Sequence, residues 1–224
     1  MCEIRLLFPV HMRTFFQDDT WQSGLEEIRV RVGQPIEFCY GSDNCYLIGK
    51  EKEQMFCSEK DYRRWEKDLY HASEADLREM LNYISNYSLY AYKEEIKQGY
   101  ITIEGGHRVG VAGQTVLVDG KIAGISPITF LNIRIAHEKC GCAKKILPLI
   151  RQKNSIYNTL ILSMPGAGKT TLLRDSIRAL SNGEAYGIRL KVCVVDERSE
   201  IAASFHGVPQ NDMGPRTDVM DGCG

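Results

Sequence analysis

Residues 163 to 171, Ser-Met-Pro-Gly-Ala-Gly-Lys-Thr-Thr, have the types and spacing of a loop that binds phosphate. Glycines at 166 and 168 let the backbone turn its N–H groups inward, where they can donate to phosphate oxygens. A helix that begins at Lys169 would add the positive end of its dipole. We therefore expect the loop to bind a nucleotide polyphosphate, with ATP and Mg²⁺ as the ligands.

The residues of this loop have separate expected roles. Lys169 should reach the β and γ phosphates and so act in catalysis, Thr170 should offer its hydroxyl to Mg²⁺, and Thr171 should lie near the α phosphate. The remaining nucleotide-binding positions are Ser163, Met164, Pro165, Gly166, Ala167 and Gly168. Serine replaces the usual glycine at the first position, and it disfavours a positive φ there. The alternative is a strand-to-helix turn that binds no ligand.

The elements around the loop support the phosphate interpretation. "YNTLILS" before it is a short apolar run typical of a buried parallel strand. After it, a helix is predicted to end near Asn182-Gly183, with one apolar face formed by Leu172, Leu173, Ile177 and Leu180. Strand, glycine loop and helix together are the context that the motif requires.

A second candidate site follows in "LKVCVVDERSE", residues 190 to 200. Parallel sheets gather functional groups at the carboxyl ends of their strands, so Asp196 is expected near the metal. Glu197 or Glu200 would orient the attacking water as a catalytic residue. Many P-loop ATPases place another strand before the Mg²⁺-ligand strand, which argues against that assignment here. The alternative is that residues 196–198 form a solvated loop.

Composition excludes several classes of function. The chain has 224 residues, 43% of them hydrophobic, and a formal net charge of -1, so no global field attracts nucleic acid or an anionic membrane. Eight cysteines without a CxxC pair indicate reduced cytosolic thiols. Cys140-Gly141-Cys142 is interpreted as a loop, with a metal or redox role as the alternative. No apolar run approaches the roughly 18 residues of a membrane-spanning helix.

The sequence pattern of the first half of the chain is typical of an α+β domain. Residues 25–48 predict three strands, and 50–70 a loop with a short helix. Ser73 is expected to cap a helix that runs to about Tyr90, with Leu77, Met80, Leu81, Ile84 and Tyr87 on one face. A second helix over 91–98 should end at Gly99. Residues 100–136 predict two hairpins and a last strand, "LNIRIA".

These patterns give an α+β N-terminal domain over 1–138, a linker over 139–154 and an α/β P-loop NTPase domain over 155–224. The segment 207–223 is rich in turn formers and is expected to be a loop. Only two strands are predicted after Tyr157, too few for a sheet covered on both faces. The sequence is therefore expected to be a fragment, truncated at its C-terminus, that binds nucleotide weakly.

Several long segments resemble the stage III sporulation AA family of endospore-forming bacteria. The resemblance runs from about residue 21 to the end and includes "LEEIRVRVGQPIEF", "LNYISNYSLYAYKEEIKQGYITIEGGHRVGVAG", "PGAGKTTLLRD" and "VVDERSEIAASFHGVPQNDMGPRTDVMDGC". It implies an ATPase similar to the motors of bacterial secretion and pilus systems, with a RecA-like second domain. It also implies a homo-oligomeric ring in the mother-cell cytoplasm, peripheral to the membrane through other stage III sporulation proteins, that energises a channel to the forespore.

The same resemblance extends to individual residues. Lys169 and Thr170 match the family's phosphate loop, and Val195 to Ile201 matches its acidic segment. Arg108 and Arg134 are implied to supply positive charge to the nucleotide, with surface strand arginines as the alternative. Arg216 is expected to reach the γ phosphate as a sensor or finger. His107 is interpreted as a turn residue.

Two other functions compete with the motor ATPase. A nucleotide-dependent scaffold would use ATP to assemble with membrane partners without significant turnover. A P-loop protein that binds single-stranded nucleic acid is disfavoured by the neutral charge and by the lack of a basic-aromatic stripe. We therefore expect no nucleic-acid partner.

Overall fold

Two compact units make up the chain, Met1–Ala136 and His137–Gly224. The structure, a computed structural model, describes residues 4–16, 18–49, 55–153, 155–184 and 187–222. Cys2, Cys223 and part of the loop predicted over 50–70 lie outside the described residues. The six described cysteines carry free thiols.

The strands of the first unit form one antiparallel sheet of seven. They are β1 (Glu27–Arg31), β2 (Glu37–Tyr40), β3 (Asp43–Leu47), β4 (Phe56–Ser58), β5 (Tyr100–Thr102), β6 (Arg108–Val118) and β7 (Lys121–Arg134). Their order across the sheet is β4-β3-β2-β1-β7-β6-β5. The predicted strands over 25–48 are confirmed, whereas β4 was not predicted.

The two faces of this sheet follow the alternation in the sequence. On one face Ile28 pairs with Ile133, and Val30 pairs with Leu131, and all four side chains are buried. Glu27, Arg29 and Arg31 are the alternate residues of β1 and are only partly buried. The apolar face of the sheet therefore forms the core, and the opposite face carries charge.

Helices α1 (Val10–Arg13), α2 (Tyr62–Trp65), α3 (Glu74–Ile84) and α4 (Lys93–Gln98) complete the first unit, and α3 and α4 contact β7. Single turns of 3-10 helix lie at Ile4–Leu7, Thr20–Gln22, Glu59–Asp61, Glu66–Asp68 and Leu89–Tyr92. The predicted start of α3 is confirmed. Ser73 and Asp76 form a capping box, in which the Asp76 N–H donates to Ser73 Oγ at 3.1 Å.

The prediction that this helix continues to Tyr90 is wrong. Asn86 and Tyr87 have φ of 48° and 61°, a backbone conformation that ends a helix. Tyr87, predicted on the buried face, is therefore 73% exposed. Gly99 ends α4 in the left-handed conformation, as predicted.

Strands β6 and β7 form one long hairpin. Asp119 and Gly120 join them, and both have positive φ, 52° and 74°, as the two central residues of a type I′ turn require. The last strand "LNIRIA" was predicted as separate from the hairpins, but residues 131–134 of it belong to the continuous strand β7, whose pairing with β6 is irregular before that point.

The second unit is built around one long helix, α6 (Lys169–Asn182), and a parallel pair of strands, β10 (Val192–Asp196) and β11 (Thr217–Asp221). Ile177 of the helix is buried with Val194, Ala202 and Met213. A 3-10 turn (Cys142–Lys145), α5 (Leu147–Ile150) and the short strands β8 (Arg151–Gln152) and β9 (Ser155–Ile156) precede them. The segment 207–223 was expected to be a loop, and β11 corrects that expectation.

Residues 139–154, which were predicted to be a linker, belong to the second unit. Ala143 and Leu147 are buried there with Ala179 and Leu180 of α6. Because these side chains share a core with the helix, the segment is part of the fold rather than a flexible connection.

The run "YNTLILS" at 157–163 is not a strand in the structure. Leu160 and Leu162 are 79% and 80% exposed. A strand forms only where a neighbour supplies hydrogen bonds, and among the described residues β10 pairs with β11 and neither pairs with this run. The predicted buried strand before the phosphate loop is therefore corrected.

Candidate functional site

The glycine loop leads directly into the N-terminus of α6. Gly166 and Gly168 have φ of 76° and 85°, and Gly168 is the residue that caps the helix. A Cβ at either position would meet no atom within 4 Å, so it is the backbone conformation that requires glycine. The space over the loop is open, and a 14-residue helix directs its N–H groups at this end.

The side chain of Lys169 folds back over this loop. Its ammonium group donates to the carbonyl oxygens of Ser163 and Met164, both at 3.0 Å. A phosphate group in the loop would therefore be within reach of one fixed positive charge and of the helix N-terminus. The residues present fit the phosphates of a nucleotide.

Ser163, Thr170 and Thr171 complete the predicted loop. Ser163 is not among the described residues with positive φ, so serine is accommodated here without backbone strain. Thr170 and Thr171 occupy the first turn of α6 and are partly buried. When bound, Mg²⁺ would neutralise phosphate charge, and the hydroxyl of Thr170 is the group of this loop that could bind it.

The carboxylate of Asp196, which was expected near the metal, binds backbone N–H groups in the structure. Asp196 is 3% exposed, and its two carboxylate oxygens accept backbone N–H groups from Glu200, Ile201 and Ala202 at 2.8–2.9 Å. Any metal at Asp196 would compete with these three hydrogen bonds. The carboxylate thus shapes the loop that follows β10.

That loop is tied to the phosphate-loop helix by Arg174. Its guanidinium donates to the carbonyl oxygens of Ile201 at 2.7 Å and Glu200 at 2.9 Å. Arg174 lies five residues after Lys169, or about 7.5 Å along the helix axis. The structure therefore brings the acidic loop beside the N-terminal half of α6, with the Glu197 and Glu200 side chains exposed.

Sequence reasoning missed Asp221 at this edge. Asp221 lies opposite Asp196 in the parallel pair, and its carboxylate accepts the hydroxyl of Ser199 at 2.7 Å. The sequence signal for this strand was the alternation of polar and apolar residues in "TDVMD", which places Val219 against Val194. The turn-forming residues before it obscured that pattern.

Arg216 lies at the wrong end of the helix for a phosphate sensor. Its backbone N–H donates to Ser181 Oγ at 2.8 Å, and its guanidinium donates to the Arg189 carbonyl at 2.8 Å. Ser181 is twelve residues after Lys169, about 18 Å along α6. Arg216 therefore does not reach the phosphate loop of its own chain, because it precedes the amino end of β11.

Asp175 joins α6 to the segment that contains Ala143. It is buried, and its carboxylate accepts the Ala143 N–H at 2.7 Å and the Arg178 guanidinium at 2.8 Å. Burial alone would raise the pKa of Asp175, but the backbone N–H groups and Arg178 lower it to about 2. The helix that begins at Lys169 is therefore held by a charged, hydrogen-bonded anchor one and a half turns along.

Residues 2–224 match the family described as sporulation stage III, protein AA. The chain belongs to this family. Stage III sporulation protein AA of Bacillus subtilis (strain 168) is 39% identical over 225 residues. The match takes in 100% of this chain and 66% of that protein, so the chain spans just under two thirds of its relative.

The chain also aligns with a solved structure. The X-ray structure of the Legionella pneumophila ATPase DotB aligns with 95% of this chain and 51% of its own, at 16% identity and a TM-score of 0.49. Within the described ranges, no helix combines the length and apolar content that a membrane crossing requires.

Arg108 and Arg134 are brought together on the charged face of the first unit's sheet. They lie directly opposite each other on β6 and β7. Like charges at such a position repel, which favours an anion or a carboxylate beside them, and Glu27 is the residue opposite Arg134 on β1. The neighbouring His107 is buried, and its Nδ1 accepts the Ala136 N–H at 3.0 Å, as suits a structural residue.

A preformed metal centre is not a feature of the described residues. In that part of the chain, no group of three or more His, Cys, Asp or Glu side chains is placed to hold a metal ion. Cys140 and Cys142 are exposed, and the Cys142 thiol contacts the Thr171 carbonyl at 3.6 Å. Mg²⁺ does not require a protein cage, because it is usually held by few side chains together with phosphates and water.

Proposed function

We propose that residues 163–171 bind Mg-ATP and that the full-length protein of this family hydrolyses it as a motor subunit with a RecA-like second domain. The observation that carries the proposal is the glycine loop with Lys169 folded over it at the start of α6. Lys169 would bind the β and γ phosphates, and Thr170 would bind the metal ion that the nucleotide brings.

The acidic loop supports a role in turnover. Arg174 fixes its backbone beside α6, so the exposed carboxylates of Glu197 and Glu200 are the groups available to orient water. Arg108 and Arg134 would add positive charge for the nucleotide phosphates. In the cell, the proposed motor is a homo-oligomer in the mother-cell cytoplasm that energises a channel to the forespore, attached to the membrane through other stage III sporulation proteins.

One observation favours a second candidate, an assembly scaffold that binds ATP without significant turnover. Both oxygens of Asp196 accept backbone N–H groups, so this carboxylate is committed to the loop. A phosphate loop beside a carboxylate that is committed in this way would bind nucleotide better than it would hydrolyse it.

The experiment compares Mg-ATP affinity and hydrolysis in this 224-residue chain and in a full-length protein of the family, such as the Bacillus subtilis relative. Lys169→Ala should weaken ATP binding at least tenfold in both and abolish hydrolysis, because it removes the charge over the loop. Lys191→Ala, an exposed lysine of the same unit, is the matched control. Equal affinity in the two variants would refute nucleotide binding at the loop.

Turnover separates the two candidates. Hydrolysis by the full-length protein that rises on assembly and is lost in Lys169→Ala supports the motor. ATP-dependent assembly with no hydrolysis supports the scaffold.

A further inference from the structure

The end of the β6–β7 hairpin extends past the rest of the sheet. Strand β5 pairs with β6 only as far as Gly110, and β1 pairs with β7 only from Phe130 onward. Residues 116–124, here called the hairpin tip, pair only with each other. An isolated two-stranded ribbon is marginally stable in water, so we expect another surface to cover this tip.

The hairpin tip carries apolar side chains where a solvated ribbon would carry polar ones. Leu117 lies directly opposite Ile122, and they are 61% and 54% exposed. Val116 and Val118 on the same strand are also exposed. Leu117 and Ile122 thus form an exposed apolar pair at the hairpin end, and exposed apolar side chains next to each other mark candidate interaction sites.

The same unit contains a pocket that suits such side chains. Its volume is about 340 Å³, and it lies where α3 and α4 meet β7. Its apolar wall is formed by Leu81, Leu89, Ile96, Ile125, Pro127 and Ile128. Two charged residues of α3, Glu74 and Arg78, line it as well and are exposed to solvent.

Charge is complementary between the hairpin tip and this α3–β7 pocket. Asp119 and Lys121 flank Gly120 at the turn, next to the apolar pair. Glu74 and Arg78 are four residues apart on α3, so their side chains lie about 5–6 Å from each other on one helix face. The tip and the pocket each carry one acidic and one basic side chain beside their apolar residues, so opposite charges can pair between two molecules.

The hairpin tip cannot enter the pocket of its own molecule. Ile125 to Ile128 line the pocket and continue in β7 directly to Ile122, only three residues away. A strand paired along its length cannot fold back over that distance. A hairpin tip that occupies this pocket therefore belongs to a second molecule.

We propose that the hairpin tip of one copy of this chain inserts into the α3–β7 pocket of a second copy. Leu117 and Ile122 fill the apolar pocket, Lys121 pairs with Glu74 of the second copy, and Asp119 pairs with Arg78 of the second copy. Every copy has one tip and one pocket, so the contact can repeat from molecule to molecule or be reciprocal in a pair.

Sedimentation of the 224-residue chain without nucleotide tests the contact, and its result does not depend on whether the phosphate loop binds ATP. The mass should rise with concentration above the 25.4 kDa of one chain. Leu117→Glu should weaken association at least tenfold, because it places a carboxylate in the apolar pocket. Leu6→Glu, at an exposed leucine outside both surfaces, should leave association unchanged.

Charge reversal distinguishes the proposed pairing from general damage to the fold. Lys121→Glu and Glu74→Lys should each weaken association about tenfold, and the two together in one chain should restore it to within about threefold, in keeping with a close charge pair at an interface. Circular dichroism checks that each variant is folded. A single-chain mass at every concentration, equal association of the Leu117→Glu and Leu6→Glu variants, or no restoration in the double variant would each overturn the proposal.

Discussion

Asp175 joins the phosphate-loop helix to the segment 142–147, and Asp175→Asn is expected to weaken that joint. Its pKa is lowered from 3.8 to about 2 in the folded chain. A difference of this size corresponds to about 2 kcal/mol of unfolding free energy. Hydrogen bonds to charged groups, roughly 1.5–3 kcal/mol each when removed, give the same scale. We expect the second unit of the Asp175→Asn variant to lose about 2 kcal/mol.

Urea unfolding measures this loss. Both tryptophans, Trp21 and Trp65, lie in the first unit, so their fluorescence reports that unit, whereas far-UV circular dichroism also reports α6. With a slope of about 2 kcal/mol per molar urea, the circular dichroism midpoint should fall by about 1 M. The fluorescence midpoint should stay, because Asp175 contacts Ala143 and Arg178 of the second unit.

The pH dependence of the loss in unfolding free energy provides a second test. An aspartate with a lowered pKa stabilises the fold above its ordinary pKa, and the benefit is lost as pH falls through the folded value. The stability difference between the parent chain and Asp175→Asn should therefore be constant above about pH 4 and shrink between about pH 4 and pH 2. Asp218→Asn, an exposed carboxylate on β11, is the control. A difference equal to that of the control, or one independent of pH, would refute the reasoning.

Two further variants test the cap of α3 and the loop that follows β10. Ser73→Ala removes the cap of α3 and should lower the free energy of unfolding by about 1 kcal/mol, measured by urea unfolding with tryptophan fluorescence as the signal. Ser88→Ala should lower it little, because the Ser88 side chain makes no cap bond. Equal losses in the two variants would contradict the capping role. Asp196→Asn should raise amide exchange at least tenfold in the three N–H groups that its carboxylate accepts, because the amide cannot accept all three. Glu197→Gln, at the exposed neighbour, should leave them protected, and unchanged protection in Asp196→Asn would count against the loop-shaping role.

Local patterns predicted the elements that local chemistry controls. The capping box at Ser73 and Asp76, the glycine that ends α4 and the Asp-Gly turn of the long hairpin each need only a few neighbouring residues. The glycine conformations before α6 and the helix itself belong to the same class, because they depend on residues within about 20 positions of each other.

Strand pairing was predicted less well, because a strand depends on a neighbour that sequence does not name. "YNTLILS" has the composition of a buried strand but is exposed where none of the described strands pairs with it. Thr217–Asp221 looked like a loop and becomes a strand because β10 lies beside it. The two halves of β7 looked separate, and pairing with β6 joins them.

The sequence by itself determined that a lysine stands at the start of a helix behind two glycines, since those residues are contiguous. Only the tertiary structure decided what the distant groups do: Asp196 turns inward to three backbone N–H groups, Arg216 lies about 18 Å along α6 from the loop, and Arg108 meets Arg134 across two strands. The physical reason is that a side chain's partner is chosen by register and crossover, which bring together residues far apart in the chain. Composition and spacing name the groups available to a site, and packing decides which of them reach it.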